Sequence, residues 1–371
     1  MNFGSNSTFS FFITRNNILK NTKKVYLFIQ IYFIVINMKK NIILLVILFL
    51  TACGTTTTAI KPQNKINLIT LNQVKQNFKQ FVALNLKANE TLNQNIQNSI
   101  EGDSSRLIDD TYFTAATDFG YTNFFGKTFY SYNTIPKTFF LQNQQNYPYN
   151  YGALLSFSFT RGVPNTVVAC SGQTDSIYTW NVSNKNSLPL LTYEIGVPYD
   201  LLPLLGNMES IRAENNTGLT NQIISELNSN ATNNSTFTPL FSHFFYTSGC
   251  TNASSLAIPF NTIQQSLKNG IIQTTIFQTT NFQGYTIKTT KGVIYLSTIQ
   301  EISNIKPVQS GYYFTHTTTA GPFETLLNPG SYSEMQTITT IQLATFVPNH
   351  GASEIVGSYN GITSMTGTPI G

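Results

Sequence analysis

Three histidines, His243, His316 and His350, are the first places to look for a general base at neutral pH, because only imidazole ordinarily titrates there. They lie far apart, and the chain has no HExxH, HxH or CxxC motif, so neither a metal site nor a cofactor is expected. His243 in "FSHFFYT" would share a strand face with Phe241 and Phe245, and His316 one with Phe314 and Tyr312, which marks both as core or edge residues. His350, in "VPNHGAS", falls in a predicted turn. Asp109 and Asp110 are neighbours, so on a strand they would point to opposite faces and not form the facing pair that glycoside cleavage requires. They read as solvated loop charges. The nearest approach to a G-x-S-x-G nucleophile elbow is "GSYNG" at Gly357–Gly361, with its serine misplaced. No catalytic residue is therefore assigned. An enzyme of this sequence would have to assemble its site from distant residues, and a non-enzymatic role is the simpler expectation.

Binding chemistry is easier to find. "NQQNYPYNYG", Asn143–Gly152, sets Tyr147, Tyr149 and Tyr151 among amides, a composition suited to recognition of a protein or a glycan: aromatic faces contribute area and amides contribute hydrogen bonds. The competing reading is an alternating strand with its tyrosines half buried. Trp180, the only tryptophan, reads as a core anchor. The N-x-S/T triplets at Asn181, Asn230 and Asn252 follow from an Asn/Thr-rich composition and are not taken as glycan sites.

The elements that would position such residues are mostly strands. After a small, polar tether at 53–66, residues 67–101 carry apolar positions at helical spacing, with Thr70 as the N-cap and Leu71, Val74 and Phe78 followed by Phe81 or Val82. One long helix or two short ones would fit. Residues 102–350 read as a β-rich domain of short runs such as Ala153–Arg161, Thr166–Ser171 and Ile177–Val182, with a hairpin turning at Lys291 and Gly292. Helices are expected to interrupt it at "TGLTNQIISELN" and "NTIQQSLKNG". The Gly/Ser/Thr-rich stretch 351–371 reads as a flexible tail. The predicted fold class is thus mainly β, an antiparallel sandwich-like body with an N-terminal amphipathic helical segment. An outer-membrane barrel fits less well, because such barrels generally end in an aromatic residue.

Upstream, "MKKNIILLVILFLTACG" has two lysines, Lys39 and Lys40, before an apolar run from Ile42 to Leu50, the plan of a secretory signal and too short to span a bilayer. Leu50, Thr51, Ala52 and Cys53 resemble the lipobox of bacterial lipoproteins. The resemblance covers Met38–Gly54 only. It implies a signal peptide at 38–52, removal of that peptide, and acylation of Cys53 as the new N-terminus, since two or more acyl chains hold a protein firmly to a membrane. Gly54, in place of an aspartate, points to the outer membrane by that family's sorting rule, on a face the sequence leaves open. Residues 1–37 then read as an over-extended start upstream of Met38, the rival being a long leader. The functional expectation is a lipid-anchored binding or structural component of the envelope, with an envelope hydrolase as the alternative.

Charge agrees with that placement. Six of the 21 basic residues precede Cys53 and none of the 16 acidic ones does, so the remainder is close to neutral and lacks the basic stripe that nucleic acid requires. About 320 residues remain beyond the signal, enough for a sizeable core. Export would place Cys170 and Cys250 in an oxidising compartment, where a disulfide between them would close a loop of roughly 80 residues and contribute about 4 kcal/mol.

Overall fold

The computed structural model describes residues 68–119, 131–160, 172–197, 205–233, 270–316 and 326–370, all within the unit Lys65–Gly371. Cys53, Cys170, Cys250 and His243 fall outside the described residues, as do the segments 166–171 and 261–269.

Thr70 does begin the first helix. Its hydroxyl accepts from the Gln73 backbone N–H while the Gln73 side chain accepts from the Thr70 N–H, a reciprocal capping box. This helix, α1 (Leu71–Thr91), buries Val74, Phe78 and Phe81 and leaves Val82 exposed. Leu92 ends it in the left-handed region, and Asn93 caps α2 (Gln94–Ile100). Of the two expected arrangements, the pair of helices forms.

A third helix, α3 (Asp103–Phe119), occupies residues read as the start of the β-rich domain. Its buried stripe includes Ser104, Ser105, Ile108 and Ala115, so small and polar residues hide the helical period from a hydrophobicity pattern. Asp109 and Asp110 consequently lie on a helix.

The strands are β1 (Ser131–Leu141), β2 (Tyr149–Thr160), β3 (Gly172–Val182), β4 (Leu190–Val197), β5 (Met208–Ala213), β6 (Ile271–Thr279), β7 (Tyr285–Thr289), β8 (Gly292–Pro307), β9 (Phe314–His316), β10 (Gly330–Pro348) and β11 (Glu354–Pro369). The expected interruption forms helix α4 (Thr217–Asn233), between β5 and β6. All the strands join one sheet in the order β6-β8-β7-β5-β1-β2-β3-β4-β11-β10-β9, and β8 also pairs with β10, so the pairings run round a ring. The sheet is mixed, because β1 meets β5 in parallel. Two joints of the ring are single residue pairs: Leu141 with Ser210, and Gly196 with Ser358.

The stretch expected as a flexible tail is largely β11, paired along its length with β10. Its glycines serve close packing. A Cβ on Gly361 would come within 2.5 Å of Ile108 on α3, and one on Gly357 within 2.4 Å of the Gly196 carbonyl. The composition that looked loose is what lets a helix and a strand approach this strand's backbone.

Inside the ring lies a core of Phe140, Leu154, Ile177, Tyr193, Ile195, Ile287, Leu296 and Phe346, among others. Alternate residues of β2 and β3, including Tyr149, Tyr151, Tyr178 and Trp180, face the other way and meet α1. A third cluster packs Ile223 and Leu227 of α4 on Phe277, Ile299 and Ile341. At a bulge in β1, Lys137 reaches Asp175 of β3, with Nζ–Oδ1 2.9 Å and the carboxylate fully buried. Among the described residues, no helix is long and apolar enough to cross a membrane.

Candidate functional site

Each weak joint of the ring is accompanied by polar chemistry. At the first, β1 and β5 separate beyond Leu141–Ser210, and a cavity of about 630 Å³ opens there. Gln142, Gln144, Ser210, Arg212, Lys288 and Asn349 are among its lining residues. Its charges are compensated: Arg212 pairs with Glu214 at 2.6 Å and Lys288 with Glu209 at 2.9 Å. Gln142 is buried and held rigidly, its Oε1 accepting from the backbone N–H and side-chain Nδ2 of Asn150 at 2.6 and 2.9 Å. The Tyr149 hydroxyl donates to the Gln142 carbonyl at 2.9 Å.

That geometry changes the role of the aromatic stretch. Tyr149 and Tyr151 are 0% and 1% exposed, so their faces belong to the core, and Tyr147 is half-buried against it. The wall of the cavity takes instead Asn143 and Gln144 from the same stretch. The amides, and not the rings, reach the open space, and Tyr149 braces them from behind.

At the second joint, β4 and β11 diverge beyond Gly196–Ser358, and other groups complete the edge of β4. The Gly102 N–H donates to the Leu191 carbonyl at 2.8 Å, beside a single parallel bridge between Glu101 and Leu191. Gln342 of β10, fully buried, donates Nε2 to the Thr192 carbonyl at 3.2 Å and accepts from the Glu194 N–H at 2.8 Å. The same Nε2 donates to the hydroxyls of Ser104 and Ser105 at 2.9 and 3.0 Å. A glutamine side chain and the start of α3 thus stand where a neighbouring strand would be.

Over this seam sit three carboxyl groups from three elements: Glu101 before α3, Asp109 on α3 and Glu194 on β4. Asp109 accepts from the Tyr359 hydroxyl at 3.0 Å and from Gln97 Nε2 at 3.0 Å. The Tyr178 hydroxyl donates to Glu194, and Glu101 lies near enough to Asp109 and Glu194 to feel their charges. Burial, then the charges of Asp109 and Glu194, push Glu101 well above the ordinary carboxylate range. Burial raises Asp109 to about 6 against the hydrogen bonds it accepts. Burial and the charge of Asp109 bring Glu194 to about 7. Both Glu101 and Asp109 therefore keep a proton to higher pH than an ordinary carboxyl does.

Sequence reasoning placed Asp109 in solvent and did not single out Glu101, Glu194, Tyr178 or Tyr359. The signal was faint: an isolated glutamate in "LLTYEIGV", alternating with apolar residues on a strand. Among the histidines, His316 is buried on β9 and His350 is exposed in a bend after β10, so these two do not join the carboxyls. Among the described residues no His, Cys, Asp and Glu grouping could hold a metal ion.

Comparison with family models, with curated proteins and with solved structures finds no match for this chain.

Proposed function

We propose that the chain is a lipid-anchored binding protein of the bacterial outer membrane, taking a neutral ligand rich in hydroxyl and amide groups in the groove between β1 and β5. The observation that carries this reading is the groove itself: amides, hydroxyls and internally compensated ion pairs around a space of about 630 Å³, a volume typical of small-molecule sites. A glycan fits that chemistry better than an ionic ligand, which would have to break the pairs. The body this reading requires is sandwich-like, with β1–β4 on one side of the ring's core and β5, β7, β8, β10 and β11 on the other. In the lipoprotein reading the body hangs from Cys53 by the tether 53–66.

Two measurements test the two halves of the proposal. Mass spectrometry of the mature N-terminus, with cell fractionation, should find an acylated Cys53 in the outer membrane, and Cys53→Ala should leave that fraction. An unacylated N-terminus elsewhere sinks the anchor. For the groove, calorimetric titration with an N-acetylated tetrasaccharide should show binding that weakens about 10-fold or more in Gln144→Ala/Asn349→Ala, with the melting temperature unchanged. Absence of binding to the wild type, or equal binding by the variant, removes the glycan assignment.

The hydrolase alternative draws on the carboxyl cluster, which is assembled from distant residues as that reading demands. Asp109 and Glu194 are committed to tyrosines and an amide, an arrangement that suits holding elements together better than engaging a substrate.

A further inference from the structure

We infer that Glu101, Asp109 and Glu194 form a pH-operated latch, holding α2 and α3 on the sheet while the cluster keeps its protons and releasing them as it ionises. The geometry carries this in three steps. First, the cluster fastens separate pieces: Gln97 of α2 and Tyr359 of β11 both donate to Asp109 of α3, and Tyr178 of β3 donates to Glu194 of β4. Glu101 adjoins Asp109, and two adjoining carboxyls can share a hydrogen bond only while one of them carries a proton, and repel once both are ionised.

Second, among the described residues no cation answers the charge that ionisation would create. The sequences of α2, β3, β4, β10 and β11 contain neither lysine nor arginine. On α3 the single basic residue, Arg106, pairs with Asp110 at 3.3 Å on the solvent side. Lys75, Lys79 and Lys87 of α1 are exposed. The remaining charged groups of α3, Asp103 and Asp118, are acidic, as are Asp175 of β3, Glu334 of β10 and Glu354 of β11. Asp175 is held by Lys137. Tyr178 and Tyr359 present hydroxyls to the cluster, and burial and the adjacent carboxylates push Tyr359 well above its ordinary value. Two or three negative charges would thus be confined under the helices with hydrogen bonds alone to stabilise them, a costly state for partly buried groups.

Third, what the latch holds shut is a seam. β4 and β11 share one residue pair, and the edge of β4 is otherwise completed by Gly102, Ser104 and Gln342. Moving the start of α3 removes two of these three partners and opens the ring beside Thr298 and Tyr193, which the Ser104 hydroxyl joins through Thr298. The latch is independent of whether the groove binds a glycan.

Hydrogen exchange read by mass spectrometry on the full-length folded protein, at pH 5 and pH 8.5 and corrected for intrinsic rates, tests it. Peptides covering 97–119 should lose at least 10-fold protection at pH 8.5, while those covering 149–160 stay protected. Glu101→Gln/Glu194→Gln should remain protected at both pH values. Equal wild-type protection at the two pH values overturns the latch. So does a uniform loss over the whole molecule, or a variant that loosens with pH as the wild type does. Should the double variant fail to fold, the wild-type fluorescence decides: Trp180 stacks on Tyr178 with centroids 5.7 Å apart, so its emission should titrate between pH 6 and 8, and a flat profile refutes the proposal.

Discussion

Replacing Trp180 with alanine lowers the unfolding free energy by about 3–5 kcal/mol, the usual cost of deleting a fully buried large aromatic. Trp180 is 1% exposed. It stacks on Tyr151 with centroids 5.3 Å apart and receives the edges of Phe78 and Phe81 at 6.1 and 5.6 Å. Those two phenylalanines form much of the buried stripe of α1, so the loss is concentrated on the docking of that helix. Urea denaturation followed by circular dichroism gives the free energy, and limited proteolysis should nick 71–91 first. Trp180→Phe should cost much less, because it keeps most of the ring contact and the indole N–H makes no hydrogen bond among the described residues. A loss below about 1 kcal/mol in the alanine variant would mean that α1 is not held by this contact.

The folded protein should also be more stable at pH 5 than at pH 8, by about 3 kcal/mol or more. The sign follows from the direction of the shifts. Asp109, Glu194 and Glu301 are raised by burial to about 6, 7 and 7, from ordinary values near 4. Between those limits the folded chain binds more protons than the unfolded one, so stability falls as pH rises. The full benefit is present below about pH 4 and is lost as pH passes through 6 to 7. One shift of about 2 units corresponds to roughly 3 kcal/mol, and shifts within the cluster add to less than their sum because the groups interact. Urea midpoints across this range check it; Asp109→Asn should flatten the slope, and a midpoint that rises with pH would refute the argument.

The strands were legible because β2, β3, β7 and β8 alternate or run apolar between turn residues, and Thr70 as an N-cap before apolar residues at helical spacing announced α1. The ring was not legible. Its closure involves buried amides: Gln342 stands in for a strand along β4 and Gln142 is fixed beside the groove, while outside the ring Asn228 makes two hydrogen bonds with the backbone of Phe277. In the sequence these are indistinguishable from the many Asn and Gln residues that read as uncharged outer faces. The carboxyl cluster was hidden for a related reason, since a glutamate gives no sign of its burial until a helix 90 residues away in sequence is laid over it. Of the tyrosine stretch, the amides Asn143 and Gln144 line the open space while Tyr149 and Tyr151 are buried, a division that alternating aromatic and amide residues do not announce in the sequence.

The two single-pair joints also order the assembly of the protein in time. β1 to β4 follow one another along the chain and pair as neighbours, so they can form from local contacts with little loop entropy to overcome. Their outer partners arrive afterwards: β5 returns to β1 soon after β4, whereas β4 waits for residue 358. Until β11 is in place, β4 presents an open edge, the kind of surface that recruits strands from other chains. From the completion of β4 until residue 358 has been made, that edge would be open to misassembly, and the early helices α2 and α3, already able to lie along β4, would act as its temporary guard.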